Sequence, residues 1–153
     1  MIRVNVEVNY KYWNKRIKST RNYFYPRLKK IQKKNNFFTK KDITFTILLT
    51  SSVFMKKLNK KFRNINKATD VLSFPFFLKK YLKKTKNKKI YIGDIAVSFQ
   101  IIKKRSKKGN FYNEFDKVWI HGLLHLIGHD HIKNKDYLKM ITVEKKILNS
   151  INP

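Results

Sequence analysis

All four histidines of the chain fall in HGLLHLIGHDH, residues 121 to 131. If the residues before Gly128 are helical, His121 and His125 stand one turn apart and their imidazoles leave one face, as two ligands of a single ion must. Gly128 supplies the break. A glycine takes the left-handed conformation that ends a helix, and the chain beyond it can bring His131 back toward the other two rings. His121, His125 and His131 are therefore the candidate ligands of one zinc ion, offering three neutral nitrogens and leaving a fourth position open. An open position separates a catalytic zinc from a structural one, because the water it holds has its pKa lowered to about 7. His129 also stands four residues after His125, but the glycine break takes it off that face, so it reads as a wall or substrate-facing residue. Asp130 is either an acceptor for a ligand imidazole or a turn-forming aspartate.

The spacing HxxxHxxGxxH is shared with the metzincin proteases, which carry a glutamate directly after the first histidine as general base. Gly122 stands there in this chain and cannot accept a proton, so a zinc metalloprotease, although an alternative by spacing, lacks its essential group. A second alternative is a non-catalytic ribosome assembly factor whose zinc is structural.

The histidine segment closely resembles the signature of the YbeY-type endoribonucleases, the bacterial ribosomal RNA maturation factors. LNKKFR at 58 to 63, TDVLSFP at 69 to 75, GDIAVS at 93 to 98 and the Met140 to Glu144 spacing follow in that family's order. His129 is a departure, since the family more often shows tyrosine there. The lysine-rich stretch 78 to 89 lies outside the signature. The resemblance implies a zinc-dependent, single-strand-specific endoribonuclease acting in ribosomal RNA maturation, at the 3' end of 16S rRNA, and in ribosome quality control. It implies ribosomal RNA and the small ribosomal subunit or whole ribosome as partners, with ribosome-associated assembly proteins beside them.

A phosphodiester repels an anionic nucleophile, so a nuclease needs a polarising metal and a cation for the phosphoryl oxygens. Arg63, the last residue of LNKKFR, is the candidate cation: a guanidinium forks onto two phosphate oxygens and keeps its charge. The resembling family carries an arginine associated with activity at that point. Arg63 and His121 are the catalytic candidates. Asp70 reads as a carboxylate that orients a ligand or an active-site arginine, or else makes local hydrogen bonds. Asp94 reads as a strand-end carboxylate, Glu144 as a surface partner of a nearby lysine, and Tyr91 and Phe111 as core aromatics rather than base-stacking platforms.

Lys and Arg number 37 against 9 Asp and Glu, for a net charge of +28. Such a chain favours a polyanionic partner, although an AT-rich genome would raise Lys, Asn and Ile together. The absence of cysteine excludes thiolate metal sites and disulfides and suits the cytoplasm. No apolar run approaches the roughly 20 residues of a membrane span, so no membrane partner is expected.

The elements that must position the histidines follow from periodicity. Ile2 to Val8, Asp42 to Leu49, Thr69 to Phe74 and Ile90 to Val97 read as four strands. Helices are expected from about Trp13, interrupted at Pro26; after Ser51 or Ser52, with an apolar face of Phe54, Leu58 and Phe62; after Ser98; from about Asn113 to Ile127; and from Asn134 onward. The segment between the third and fourth strands reads as a mobile basic loop. The expected architecture is one α+β domain over residues 1–153, a small mixed sheet of about four strands packed with helices, one of which carries the zinc ligands.

Overall fold

The structure, a computed structural model, describes residues 1–152. Four strands, β1 (Ile2–Val8), β2 (Asp42–Thr50), β3 (Val71–Pro75) and β4 (Lys89–Ser98), form one sheet in the order β1-β2-β4-β3. The first three in that order run parallel, and β3 closes the edge antiparallel to β4. The protein is a single α+β domain with a mixed sheet, as its periodicity requires.

The two faces of the sheet carry different helices. Ile43, Phe45, Ile47 and Leu49 of β2 and Ile95 and Val97 of β4 share a large core with α1 (Tyr12–Arg16), α2 (Thr20–Lys34), α7 (Phe111–Leu126) and α8 (Asn134–Ile151). The alternate residues Leu48, Leu72, Phe74 and Ala96 pack with Met55 and Leu58 of α4 (Ser52–Arg63) on the opposite face. A bulge re-phases β4 midway: Ile90 and Ile92 precede it and Ile95 and Val97 follow it, yet all four reach the large core. Gly93 permits this with φ 134°, and a Cβ there would lie 2.2 Å from the Phe74 carbonyl oxygen.

Several local readings change. Pro26 lies inside α2, which begins at Thr20 under a Ser19 cap, so the proline neither starts a helix nor divides one. A short helix, α3 (Asn36–Lys40), follows it. The expected basic loop contains α5 (Lys79–Lys84), anchored because Leu82 is buried in the core. On α4 the buried residues are Met55 and Asn59, while Phe54 and Phe62 stay largely exposed. Ser98 stands at the start of α6 (Phe99–Arg105) without capping it, because its hydroxyl bonds Ser52 instead.

Helix α7 is held by a buried charge. Asp116 has no solvent exposure and accepts hydrogen bonds from Arg27 Nε at 3.0 Å, Tyr23 Oη at 2.8 Å, Trp119 Nε1 at 2.8 Å and Asn152 Nδ2 at 3.1 Å. Burial, and next the Asp116 charge, push the Tyr23 hydroxyl far above its ordinary pKa, so it remains a donor. This fully partnered carboxylate ties α2 and the chain end to the helix that presents the histidines.

Candidate metal centre

Asn110 caps α7 by accepting from the backbone N–H groups of Tyr112 and Asn113. The helix ends after Leu126, where Gly128 adopts φ 87° and its N–H bonds the His125 carbonyl at 3.0 Å. The His129 N–H reaches the Leu124 carbonyl at 3.0 Å, closing the turn. The chain reverses there, and the Asp130 carboxylate accepts the His131 backbone N–H at 2.7 Å, the turn-forming role among the two expected for it.

The result is one cluster. Candidate ligand atoms of His121, His125 and His131 all lie within 4.8 Å of one another. His121 Nε2 and His125 Nε2 are 3.1 Å apart, close to the roughly 3.3 Å that tetrahedral bonds of about 2.0–2.1 Å require between two nitrogens. The opposite nitrogen of each ring is already engaged. His125 Nδ1 lies 2.9 Å from the His129 carbonyl oxygen, which can only accept, so Nδ1 carries the proton and Nε2 keeps its lone pair. His121 Nδ1 lies 3.2 Å from Glu144 Oε2 on α8, which fixes the same tautomer. Burial, and next the charge of His121, lower the His125 pKa to about 4, so this ring is neutral and available near neutral pH. His129 is outside the cluster of side chains; its carbonyl serves His125, and the residue lines a separate cavity of about 280 Å³ with Asn35, Phe37 and Asp136.

In the sequence Glu144 is marked by the Met140 to Glu144 spacing yet reads as a surface partner of a lysine, because its partner His121 is 23 residues away. Its place against His121 gives it a different weight: an acceptor behind a ligand imidazole typically carries ten- to hundred-fold in metal affinity. Glu144→Gln keeps the shape and removes the charge. Zinc affinity measured by competition against a chromogenic chelator should fall by about that factor, with the melting temperature of the metal-free protein unchanged. An unchanged affinity would reduce the pair to an ordinary surface contact.

Gly122 faces the sheet. A Cβ at this position would lie 2.9 Å from Ile95 Cγ2 and 3.1 Å from both Ser73 Oγ and Val71 Cγ2, and Ser73 Oγ donates to the Gly122 carbonyl at 3.2 Å. The position that carries a protease's general base is thus packed against β3 and β4, with no room for a carboxylate. Gly122→Ala should destabilise the fold by about 1–3 kcal/mol through overpacking, read by urea unfolding. A neutral substitution would show that α7 lifts off the sheet easily.

Arg63 ends α4, beyond the face of the sheet opposite α7, and is exposed; among the described residues it makes no hydrogen bond or ion pair. The structure brings the three histidines together and does not bring Arg63 into contact with them. Asp70 does hold an arginine, but that arginine is Arg105. Tyr91 donates to Asp94 and shares a hydrogen bond with Thr46, so Asp94 makes the local contacts expected of it. Phe111 is a core residue. Among the described residues, no helix is long and apolar enough to cross a membrane.

Comparison with known proteins follows the same lines. A family model described as Endoribonuclease YbeY matches residues 7–152. A Pelagibacter ubique protein described as Endoribonuclease YbeY is 46% identical over 149 residues, covering 96% of this chain and 94% of its own. A Thermodesulfovibrio yellowstonii protein with the same description is 33% identical over 130 residues, covering 83% and 76%. The solution structure of a Thermotoga maritima protein is similar with a TM-score of 0.61 and 28% identity, covering 99% of this chain and 89% of its own.

Proposed function

Because the chain belongs to the YbeY endoribonuclease family, we propose that it cleaves single-stranded ribosomal RNA with one zinc ion held by His121, His125 and His131. The protein is a metal-dependent ribonuclease. The finer reading places its work in maturation of the 3' end of small-subunit ribosomal RNA and in ribosome quality control, in the cytoplasm, beside the ribosome and its assembly proteins.

The observation that carries the zinc assignment is the convergence of the His121 and His125 Nε2 atoms while both Nδ1 atoms are occupied. Neutral imidazoles suit zinc, and the site offers no thiolate because the chain has no cysteine. When bound, the ion supplies Lewis acidity at the scissile phosphate. His121 is proposed to act through its ring, which Glu144 holds in register. Arg63 is proposed to place its guanidinium on the phosphoryl oxygens, reaching round the edge strand β3. The net charge of +28 supports a polyanionic substrate. The packed position of Gly122 removes the support for proteolysis.

The test uses pure protein with labelled single-stranded RNA and, in parallel, casein. RNA should be cut, cutting should stop with chelator and return with zinc, and casein should survive. Cleavage that persists in chelator, or cleavage of casein alone, would overturn the reading.

A further inference from the structure

Beside the histidine cluster lies a cleft of about 230 Å³ lined by Asp70, Arg105, Glu114, Lys117, His121 and Glu144, together with Val71 and Val118. Three of the chain's nine carboxylates gather here, in a molecule with 37 basic side chains. Two of the three brace a cation. Asp70 is itself fixed: its Oδ1 accepts from the Val71 N–H at 2.8 Å and from Thr69 Oγ1 at 3.2 Å, and its Oδ2 accepts from Arg105 Nη1. Glu114 accepts from Lys117 Nζ at 2.7 Å.

Both cations remain available. Arg105 uses only Nη1 in the Asp70 contact, which leaves the rest of its donor fork, and its side chain is 51% exposed; that of Lys117 is 54% exposed. Lys117 and His121 are four residues apart on α7, about 6 Å along the axis and on one face. That is of the order of one nucleotide along an extended strand. Arginine makes up only six of the 37 basic residues, and a fork held by a fixed carboxylate has less rotamer freedom to lose on meeting phosphate.

We propose that this cleft is the subsite for a phosphodiester neighbouring the scissile one, held by Arg105 and Lys117, with Asp70 and Glu114 aiming the two cations. The inference rests on the ribonuclease reading above and names where the strand continues from the histidines. Arg105 and Lys117 bind substrate; Asp70 is a positioning residue.

The sign of one substitution separates this from diffuse attraction. Asp70→Asn removes a negative charge, so a surface that merely collects RNA by charge should bind it more tightly. A braced fork should bind it more weakly. The experiment measures fluorescence anisotropy of a labelled single-stranded RNA on the chelator-treated protein over a salt series, and single-turnover cleavage by the zinc-loaded protein. Arg105→Ala and Lys117→Ala should each weaken binding about ten-fold and reduce the salt slope by about 0.7. Arg105→Lys should recover part of the loss. Asp70→Asn should weaken binding with Arg105 present and do nothing further in Arg105→Ala. Lys84→Ala, at an exposed position of α5, is the control for general charge, and thermal melting monitors the fold. If Arg105→Ala and Lys117→Ala match Lys84→Ala, or Asp70→Asn binds more tightly, the cleft assignment is overturned while wild-type cleavage stands. If wild type binds but cleaves no RNA with any metal, the ribonuclease reading fails instead.

Discussion

Replacing His125 with alanine is expected to abolish stoichiometric zinc and lower RNA cleavage by at least about a thousand-fold, since partners behind a ligand alone are worth ten- to hundred-fold. His125 is central to the cluster: its Nε2 faces that of His121, its ring lies 4.9 Å from that of His131, and its Nδ1 is tied to the turn that brings His131 back. Its neutral form is secured by burial, so few protons compete with the ion near neutral pH. Elemental analysis of purified variants checks the assignment. His121→Ala and His131→Ala should also lose zinc, whereas His129→Tyr should retain it, because His129 contributes a carbonyl that the substitution leaves in place. Zinc lost from His129→Tyr and kept by His131→Ala would show that the trio is wrongly drawn.

That cluster was readable because its signals are local. Two histidines four apart need only a helix, and Gly128 announces its end by a conformation other residues avoid. The four strands were readable for the same reason, by alternation. What alternation could not show is the bulge at Gly93, which changes the phase of β4 and sends Ile92 and Ile95 to the same core. Long-range polar pairing was equally hidden. Asp116 and Arg27 are 89 residues apart, Asp70 and Arg105 are 35 apart, and His121 and Glu144 are 23 apart. A charged residue reads as solvent-exposed until a partner is known, so a buried carboxylate such as Asp116 gives no sign of itself. The α4 stripe failed differently. Phe54 and Phe62 have helical spacing, but Met55 and Asn59 face the sheet; Asn59 is buried because its amide donates to the Lys67 carbonyl at 2.8 Å.

Arg63→Ala is expected to lower the single-turnover cleavage rate by orders of magnitude at saturating RNA, with little change in affinity. The two quantities separate because a cation that meets the phosphoryl oxygens only as charge develops contributes to the rate, while a ground-state phosphate contact contributes to binding. Its position makes the test demanding. Helix α4 packs on Leu72, Phe74 and Ala96, whereas α7 packs on Val71, Ser73 and Ile95, so Arg63 begins on the far side of the sheet from the histidines. Strand β3 is the edge between them, and Phe62 seats the helix end against Phe74 of that strand. A long, exposed side chain without an ion-pair partner is free to extend round such an edge toward a strand of RNA lying across it. If it does, the scissile phosphate sits between α4 and α7 and the loss appears in the saturated rate. If Arg63→Ala instead behaves like Lys84→Ala, with a normal saturated rate and a slightly shallower salt dependence, Arg63 belongs to the general basic surface. The RNA would then stay on the α7 side of β3, and the cation that stabilises the reaction must come from that face.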